Sequence, residues 1–303
     1  YLVGVRREAW AAAQSALMSG IQWGSERVFA ESCRRARAAG LTVALGRLLA
    51  DVDRPEDLGS WDRARVANGE APYGDRRQRL TVIVPTLNEA SHIAAALDSA
   101  VGERDVERLV VDGGSRDDTV RIATDRGAQV LESQPGRALQ LNTGAAAASG
   151  AVLLFLHADT VLPHGFDWAI RQALSEPRVV GGAFAFASDL RTPGMRVVEH
   201  LANLRSRYLR VPYGDQGLFA RAGAFRALGG FAEWPILDDL DLVLRLRKQG
   251  KLVSLDPAAT TSARRYREHG VLRTSLVNQA MLAGYALGID RARLLDWYRR
   301  AAL

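Results

Sequence analysis

Three short apolar runs in this chain end in residues able to hold an anionic ligand and a metal. Residues 80–85 lead into Thr86-Leu87-Asn88-Glu89. Residues 109–111 lead into Asp112-Gly113-Gly114-Ser115-Arg116-Asp117-Asp118-Thr119. Residues 152–156 lead into His157-Ala158-Asp159-Thr160. Ligands of open α/β sheets lie in the crevice at the carboxyl ends of the strands, so three such ends predict one site. A carboxylate at Asp112 can accept hydrogen bonds from a base or ribose, and Gly113 lets the backbone turn sharply beside it. A β-turn followed by a helix cap is the plain alternative. Mg²⁺ and Mn²⁺ prefer oxygen donors and use few protein carboxylates when a phosphorylated ligand supplies the rest. Asp159 alone, with a diphosphate, therefore suffices for a metal. His157 lies two residues earlier and points the same way along a strand. It is either a second metal ligand or a hydrogen-bonded structural histidine.

Further along, Asp238, Asp239 and Asp241 crowd one helix start. The positive end of the helix dipole accounts for one or two of them. With Gly214-Asp215-Gln216 nearby, the third points to a general base in an apolar-walled site. Arg137, Arg264 and Arg265 are candidate phosphate contacts, since a guanidinium suits bidentate phosphate recognition; each has a surface arginine as its alternative.

Elements must carry these groups. From residue 80 onward strand and helix patterns alternate, which predicts an α/β sheet. Asn88 is placed to cap a helix over 89–100, and Asp117 or Asp118 a second helix containing Val120, Ile122 and Ala123. A strand is expected over 128–131, an Ala-rich helix over 137–148 and a strand over 179–187. Further helices are expected over 195–210, 222–228 and 239–248. Residues 271–298 read as two helices broken near Gly288. Upstream, helical periodicity marks 10–18 and 25–39, the second with Val28, Phe29 and Cys33 on one face. Residues 41–49 suit a strand, 51–58 a turn into a helix, and 68–79 a linker rich in Gly, Pro and charge.

The 303 residues suffice for one large or two ordinary domains. With 48% hydrophobic and 24% charged residues, the composition is that of a globular protein. A single cysteine excludes an internal disulfide framework and a cysteine-rich zinc site. It fits a reducing cytosol. The net charge of +6 is spread over scattered arginines rather than a basic stripe, which argues against nucleic acid. It suits a phosphorylated substrate or an anionic membrane surface. No window has the uncharged length of a membrane span, and no signal peptide is visible. The expected location is the cytoplasm, with peripheral association at the inner membrane face. Tyr1-Leu2-Val3-Gly4-Val5 reads as a strand inside a domain, so the chain is expected to begin within a longer protein.

Taken together, several motifs resemble glycosyltransferase family 2, of the GT-A fold, from about Leu80 to the C-terminus. They are Val84-Pro85-Thr86-Leu87-Asn88-Glu89, Val111-Asp112-Gly113-Gly114-Ser115 with Asp117 and Thr119, the Asn142-x-Gly144 helix, Phe155-Leu156-His157-Ala158-Asp159 and the late Asp238-Asp239. Leu204-Arg205-Ser206-Arg207, Pro212-Tyr213-Gly214-Asp215-Gln216-Gly217 and Ser262-Ala263-Arg264-Arg265 resemble the branch labelled rSAM/selenodomain-associated transferase 2. Residues 1–58 are similar to the C-terminal part of the partner family, transferase 1 of the same label. That part lacks the nucleotide-binding half.

The resemblance implies a mostly parallel mixed sheet flanked by helices, with C-terminal helices. It implies a remnant plus linker over 1–70 and a glycosyltransferase domain over 71–303. The expected partners are a nucleotide-sugar donor, most commonly a UDP-sugar, and an acceptor that is a lipid or other small molecule. The expected cofactor is Mn²⁺ or Mg²⁺. By position, Pro85, Thr86, Asn88, Glu89 and Asp112 hold the nucleoside, with Gly113, Arg137, Asn142 and Ala158 in the same donor-binding set. Asp159 closes the family's Asp-x-Asp metal motif, with His157 in place of the first Asp. Asp239 matches the catalytic base, and Asp238 replaces the Glu that usually precedes it. Asp215 and Gln216, with Arg264 and Arg265, fall in the donor-sugar or acceptor region.

Two other functions would leave different marks on the sequence. A nucleotidyltransferase or sugar-nucleotide pyrophosphorylase should carry a Gly-rich basic loop after its first strand, and Thr86-Leu87-Asn88-Glu89-Ala90 has no Lys or Arg. A non-catalytic nucleotide-sugar-binding protein is the other, and the presence of all three carboxylates at 112, 159 and 239 argues against it.

Overall fold

The computed structural model describes residues 28–39, 79–102, 105–234 and 236–301. The chain divides into two compact units, Tyr1–Pro72 and Tyr73–Leu303. In the first unit the description covers helix α1, Val28–Ala38. It falls within the helix expected over 25–39. The side chains of Val28, Phe29 and Cys33, the elements expected over 10–18, 41–49 and 51–58, and the linker up to residue 78 lie outside the described residues.

The second unit runs β1 Leu80–Thr86, α2 Ile93–Ser99, β2 Val106–Asp112, α3 Thr119–Asp125, β3 Gln129–Glu132, α4 Arg137–Ala147, β4 Val152–Phe155 and β5 Thr160–Val161. It continues with α5 Phe166–Ala173, β6 Val179–Ser188, α6 Pro193–Leu204, β7 Leu218–Arg221, α7 Ala222–Ala227, α8 Asp238–Leu246 and β8 Lys251–Thr261. It ends with α9 Arg264–His269, α10 Val271–Ala286 and α11 Arg291–Ala301. A π-helical turn, Arg205–Leu209, extends α6, and a 3₁₀ turn spans Gly214–Gln216.

Eight strands form one mixed sheet in the order β3-β2-β1-β4-β7-β6-β8-β5. β1, β2, β3 and β4 are parallel, and β7 then runs antiparallel to both β4 and β6. β1 and β4 are buried on both faces, as the continuous apolar runs require for central parallel strands. One face of the sheet packs on Ile93, Ala96 and Leu97 of α2, Ala123 of α3, and Phe166 and Ile170 of α5. The other packs on Ala138, Leu141 and Ala145 of α4, Phe225 of α7, and Leu242, Val243 and Leu246 of α8. This is the expected α/β layering. α4 lies close to the sheet because Gly144 has no side chain: a Cβ there would come within 2.4 Å of Ile83 Cγ2.

Several boundaries differ from the sequence reading. Asn88 does not cap a helix that starts at residue 89. Its backbone is left-handed, with φ 57°, and α2 begins only at Ile93. Asp118 holds the N-cap position of α3 without a side-chain bond, while Asp117 accepts from the Thr119 N–H at 3.1 Å. The helix expected over 195–210 begins at Pro193, where Thr192 accepts from the Met195 N–H, and becomes π-helical after Leu204. α5 and β8 are new. The break between α10 and α11 falls at Gly288, whose φ is 73°.

Candidate active site

The carboxyl end of β1 is tied to its neighbours before any ligand is considered. Asp112, at the end of β2, is buried, and its carboxylate accepts from the Thr86 hydroxyl at 3.1 Å, the Ser115 hydroxyl, and the N–H groups of Gly114 and Ser115 at 2.9 and 2.8 Å. Gln140 of α4 donates to the carbonyls of both Thr86 and Val111, at 2.8 and 2.9 Å. The Gly113 N–H donates to the Thr86 carbonyl at 2.9 Å. Asn88 accepts from the Arg116 N–H at 2.8 Å, which links the loops after β1 and β2.

Beyond these ties opens a cavity of about 700 Å³. Its walls include Pro85, Thr86 and Glu89 from β1 and its loop, Arg137 from α4, and His157, Ala158 and Asp159 after β4. Asp215, Asp239, Arg264 and Arg265 complete the set from the later chain. The topology thus brings together eleven of the residues singled out in the sequence. Asn88, Asp112, Gly113, Asn142, Gln216 and Asp238 are not among the cavity walls. Asn142 donates to the Phe231 carbonyl and accepts from the Phe231 N–H, both at 2.9 Å, and so fixes the loop before α8. Gln216 is fully buried and bonds to Ser206, the Tyr213 N–H and the Phe184 carbonyl.

Arg137 sets the electrostatics. Its guanidinium pairs with Asp238, with Nε 3.1 Å from Oδ2, and its Nη2 lies 3.7 Å from Asp239 Oδ1. Asp239 also accepts from the Gly214 and Leu240 N–H groups, each at 2.8 Å. Burial works to raise its pKa, but Arg137 and these two donors outweigh it and hold Asp239 below the usual carboxylate range. Asp238 goes the other way: its burial prevails over the attraction of Arg137. Burial and the nearby Asp239 charge push Asp215 up to about 6. His157 is pushed down to about 4 by burial and then by Arg137, so it is a neutral imidazole near pH 7.

Two backbone features place Asp239. Gly214 admits the close approach, since a Cβ there would sit 3.0 Å from His157 Nε2 and 3.1 Å from Asp239 Oδ2. Leu237, the residue before α8, has φ 60° and ψ 22°, a left-handed backbone that leucine rarely adopts.

At the opposite wall, Arg264 Nη2 lies 3.7 Å from Glu89 Oε1, and Arg265 stacks over the Tyr298 ring at 5.0 Å. Tyr266, Asn278, Met281, Leu282, Leu295 and Tyr298 also form this wall. Tyr213 stands within the 212–217 motif, whereas Gln140 and these C-terminal groups were not singled out in the sequence. For the C-terminal groups the signals are an apolar helix face and aromatic residues, which any core helix also shows.

Among the described residues no three or more His, Cys, Asp or Glu side chains are grouped to hold a metal by themselves. Asp159 and His157 both open on the cavity. One carboxylate and one neutral imidazole fit a Mn²⁺ or Mg²⁺ ion that takes its remaining ligands from a bound phosphate.

Residues 81–229 match the family model described as Glycosyl transferase family 2. This segment is a family 2 glycosyltransferase domain. The PGL/p-HBAD biosynthesis glycosyltransferase of Mycobacterium bovis is 29% identical over 218 residues, covering 67% of this chain and 82% of the relative. The mannosyltransferase PcManGT from Pyrobaculum calidifontis, solved in complex with GDP-Man and Mn²⁺, superposes with a TM-score of 0.51. It is 20% identical and covers 80% of this chain and 81% of its own. That likeness shows the GT-A fold. S. aureus TarS aligns at a TM-score of 0.47 and 16% identity over 65% of this chain, which spans only 38% of the TarS chain.

Proposed function

We propose that this glycosyltransferase moves a sugar from a nucleotide-sugar, most readily a UDP-sugar, to an acceptor hydroxyl with inversion at the anomeric carbon. One observation carries this reading: Asp239, Arg137, Asp159 and His157 share a single cavity with the end of β1. The base and ribose lie toward Pro85, Thr86 and Glu89. Asp112, Gly113 and Asn88 act from behind by fixing the shape of that wall. Asn142 likewise steadies the loop before α8, and Gln216 the turn that carries Asp215. Asp159 and His157 would hold the Mn²⁺ or Mg²⁺ together with the donor phosphates, and the ion supplies charge neutralisation of the leaving diphosphate.

The carboxylate of Asp239 accepts the acceptor proton as the acceptor oxygen bonds to the anomeric carbon. The bond from that carbon to the phosphate oxygen breaks on the opposite face, and its electron pair leaves with the nucleoside diphosphate. Asp238 serves as a positioning residue, holding Arg137 against Asp239. Arg264 and Arg265 flank the acceptor side. There the apolar wall of Met281, Leu282, Leu295 and Tyr298 suits an acceptor with an apolar body.

Within the family, the segments 204–207, 212–217 and 262–265 support the rSAM/selenodomain-associated transferase 2 branch, and residues 1–58 support a transferase 1 remnant. Calorimetry with UDP and GDP, each with and without Mn²⁺, tests the site. Metal-dependent binding of one nucleotide, lost in Asp159→Ala, is expected. Equal binding by the variant would remove Asp159 from the metal site, and no binding of either nucleotide would overturn the reading.

A further inference from the structure

A surface outside the catalytic cleft is built in an unusual way. Val197, Leu201, Leu204 and Tyr208 recur at steps of four, three and four along α6 and its π-helical turn, so they form one stripe. They are 58, 58, 38 and 73% exposed, with Leu209 beside them at 61%. α6 meets α10 where a Cβ on Gly194 would lie 3.5 Å from Val271. On α10, Leu272 and Leu276 are 74 and 61% exposed. The exposed Gln279, Ala280 and Ala283 extend that face without a charge. Seven of the fourteen exposed large apolar side chains among the described residues therefore lie on two touching helices. Single exposed leucines need no explanation, but a grouped set does.

The flanks are basic. Arg196, His200, Arg207 and Arg210 are exposed along the stripe. Glu199, the one acid between 193 and 210, turns inward and accepts from the Ser188 N–H at 2.7 Å. Among the described residues, Arg207 approaches an acid at Asp256, 3.7 Å away. A second copy of this chain on the same face would set these arginines against their own symmetry mates. An apolar stripe with arginine flanks instead matches acyl chains beneath anionic headgroups. The opposite face of α10 lines the cavity with Asn278, Met281 and Leu282, so this surface is continuous with the helix that forms the apolar wall.

We propose that α6, its π-helical turn and α10 dock in the plane of an anionic bilayer surface. The test is flotation of the full chain with vesicles of phosphatidylcholine alone and of phosphatidylcholine mixed with phosphatidylglycerol. The wild type is expected to float with the mixed vesicles and to be released by salt. The Leu201→Ser/Leu272→Ser/Leu276→Ser variant is expected to partition on the order of tenfold less. Its circular dichroism and thermal unfolding should match the wild type, since all three side chains are exposed. Absence of flotation with either vesicle, or equal flotation of the variant, overturns the proposal. So does a wild-type dimer in light scattering that the variant turns into a monomer. Nucleotide binding measured on the same samples is independent of these outcomes.

Discussion

Asp239 reaches the cavity with both oxygens already engaged by backbone donors and with Arg137 behind it. It therefore stays ionised and fixed in direction, which is what a base needs before an acceptor arrives. Replacing it with Asn keeps the size and removes the proton acceptor. Asp239→Asn is expected to lower kcat by about 10²–10⁴-fold while leaving nucleotide affinity intact, as read by steady-state kinetics and calorimetry. Turnover retained in that variant would assign the base elsewhere. Asp239, Asp159 and Thr86 were singled out in the sequence as chemistry-bearing residues at strand and helix ends, and all three line the cavity. Asp112, Asn142 and Gln216 were singled out on similar grounds, and in the structure their polar atoms also bond neighbouring donors and carbonyls. Residue type alone does not separate a ligand contact from a loop fastener.

Among the elements, β1 and β2 are fastened at the end away from the cavity by Glu107. It accepts from the Thr81 hydroxyl and from the Ser149 N–H and hydroxyl. Burial works to raise its pKa, but these bonds and the Arg79 charge outweigh it, so the folded pKa lies below the ordinary 4.5. A depressed folded pKa means that the stabilisation is complete above the unfolded value and is lost as pH falls through the folded one. Glu107→Gln is expected to cost about 1–3 kcal/mol at neutral pH. In denaturant titrations the gap to the wild type should narrow as pH falls from neutrality through the folded pKa of Glu107. The central strands were readable from their apolar runs. β8 was not, because Asp256 and Pro257 interrupt it. The register shifts there from Phe184 opposite Leu255 to Ala185 opposite Ala258, so both residues bulge out of the ladder and Pro257 need not donate. α5 was missed for lack of a side-chain cap: its N-cap is Gly165.

At the scale of the whole molecule, parallel β1, β2 and β4 open their carboxyl ends together, and antiparallel β7 starts at that same end, just after the turn that carries Asp215. Every described residue lining the cavity belongs to the unit Tyr73–Leu303. A fragment of residues 73–303 is therefore expected to fold cooperatively and to bind nucleotide with the affinity of the full chain. Thermal unfolding and calorimetry on the fragment would check this, and loss of binding would make residues 1–72 part of the site. The layering was legible from alternating strand and helix patterns. The C-terminal wall was not, because α10 and α11 return to the site across a long stretch of sequence that carries no motif.

Leu237 gives the site a history as well as a shape. A left-handed backbone costs leucine about 1–2 kcal/mol that glycine would not lose. Drift under selection for stability alone would replace it, so its retention would record selection for something else. Leu237→Gly is expected to leave the fold intact, to raise the melting temperature, and to lower kcat by freeing the turn that aims Asp239. A variant both more stable and equally fast would show that the leucine is an accident of descent. The expected outcome makes position 237 a place where thermostability and turnover cannot be improved together.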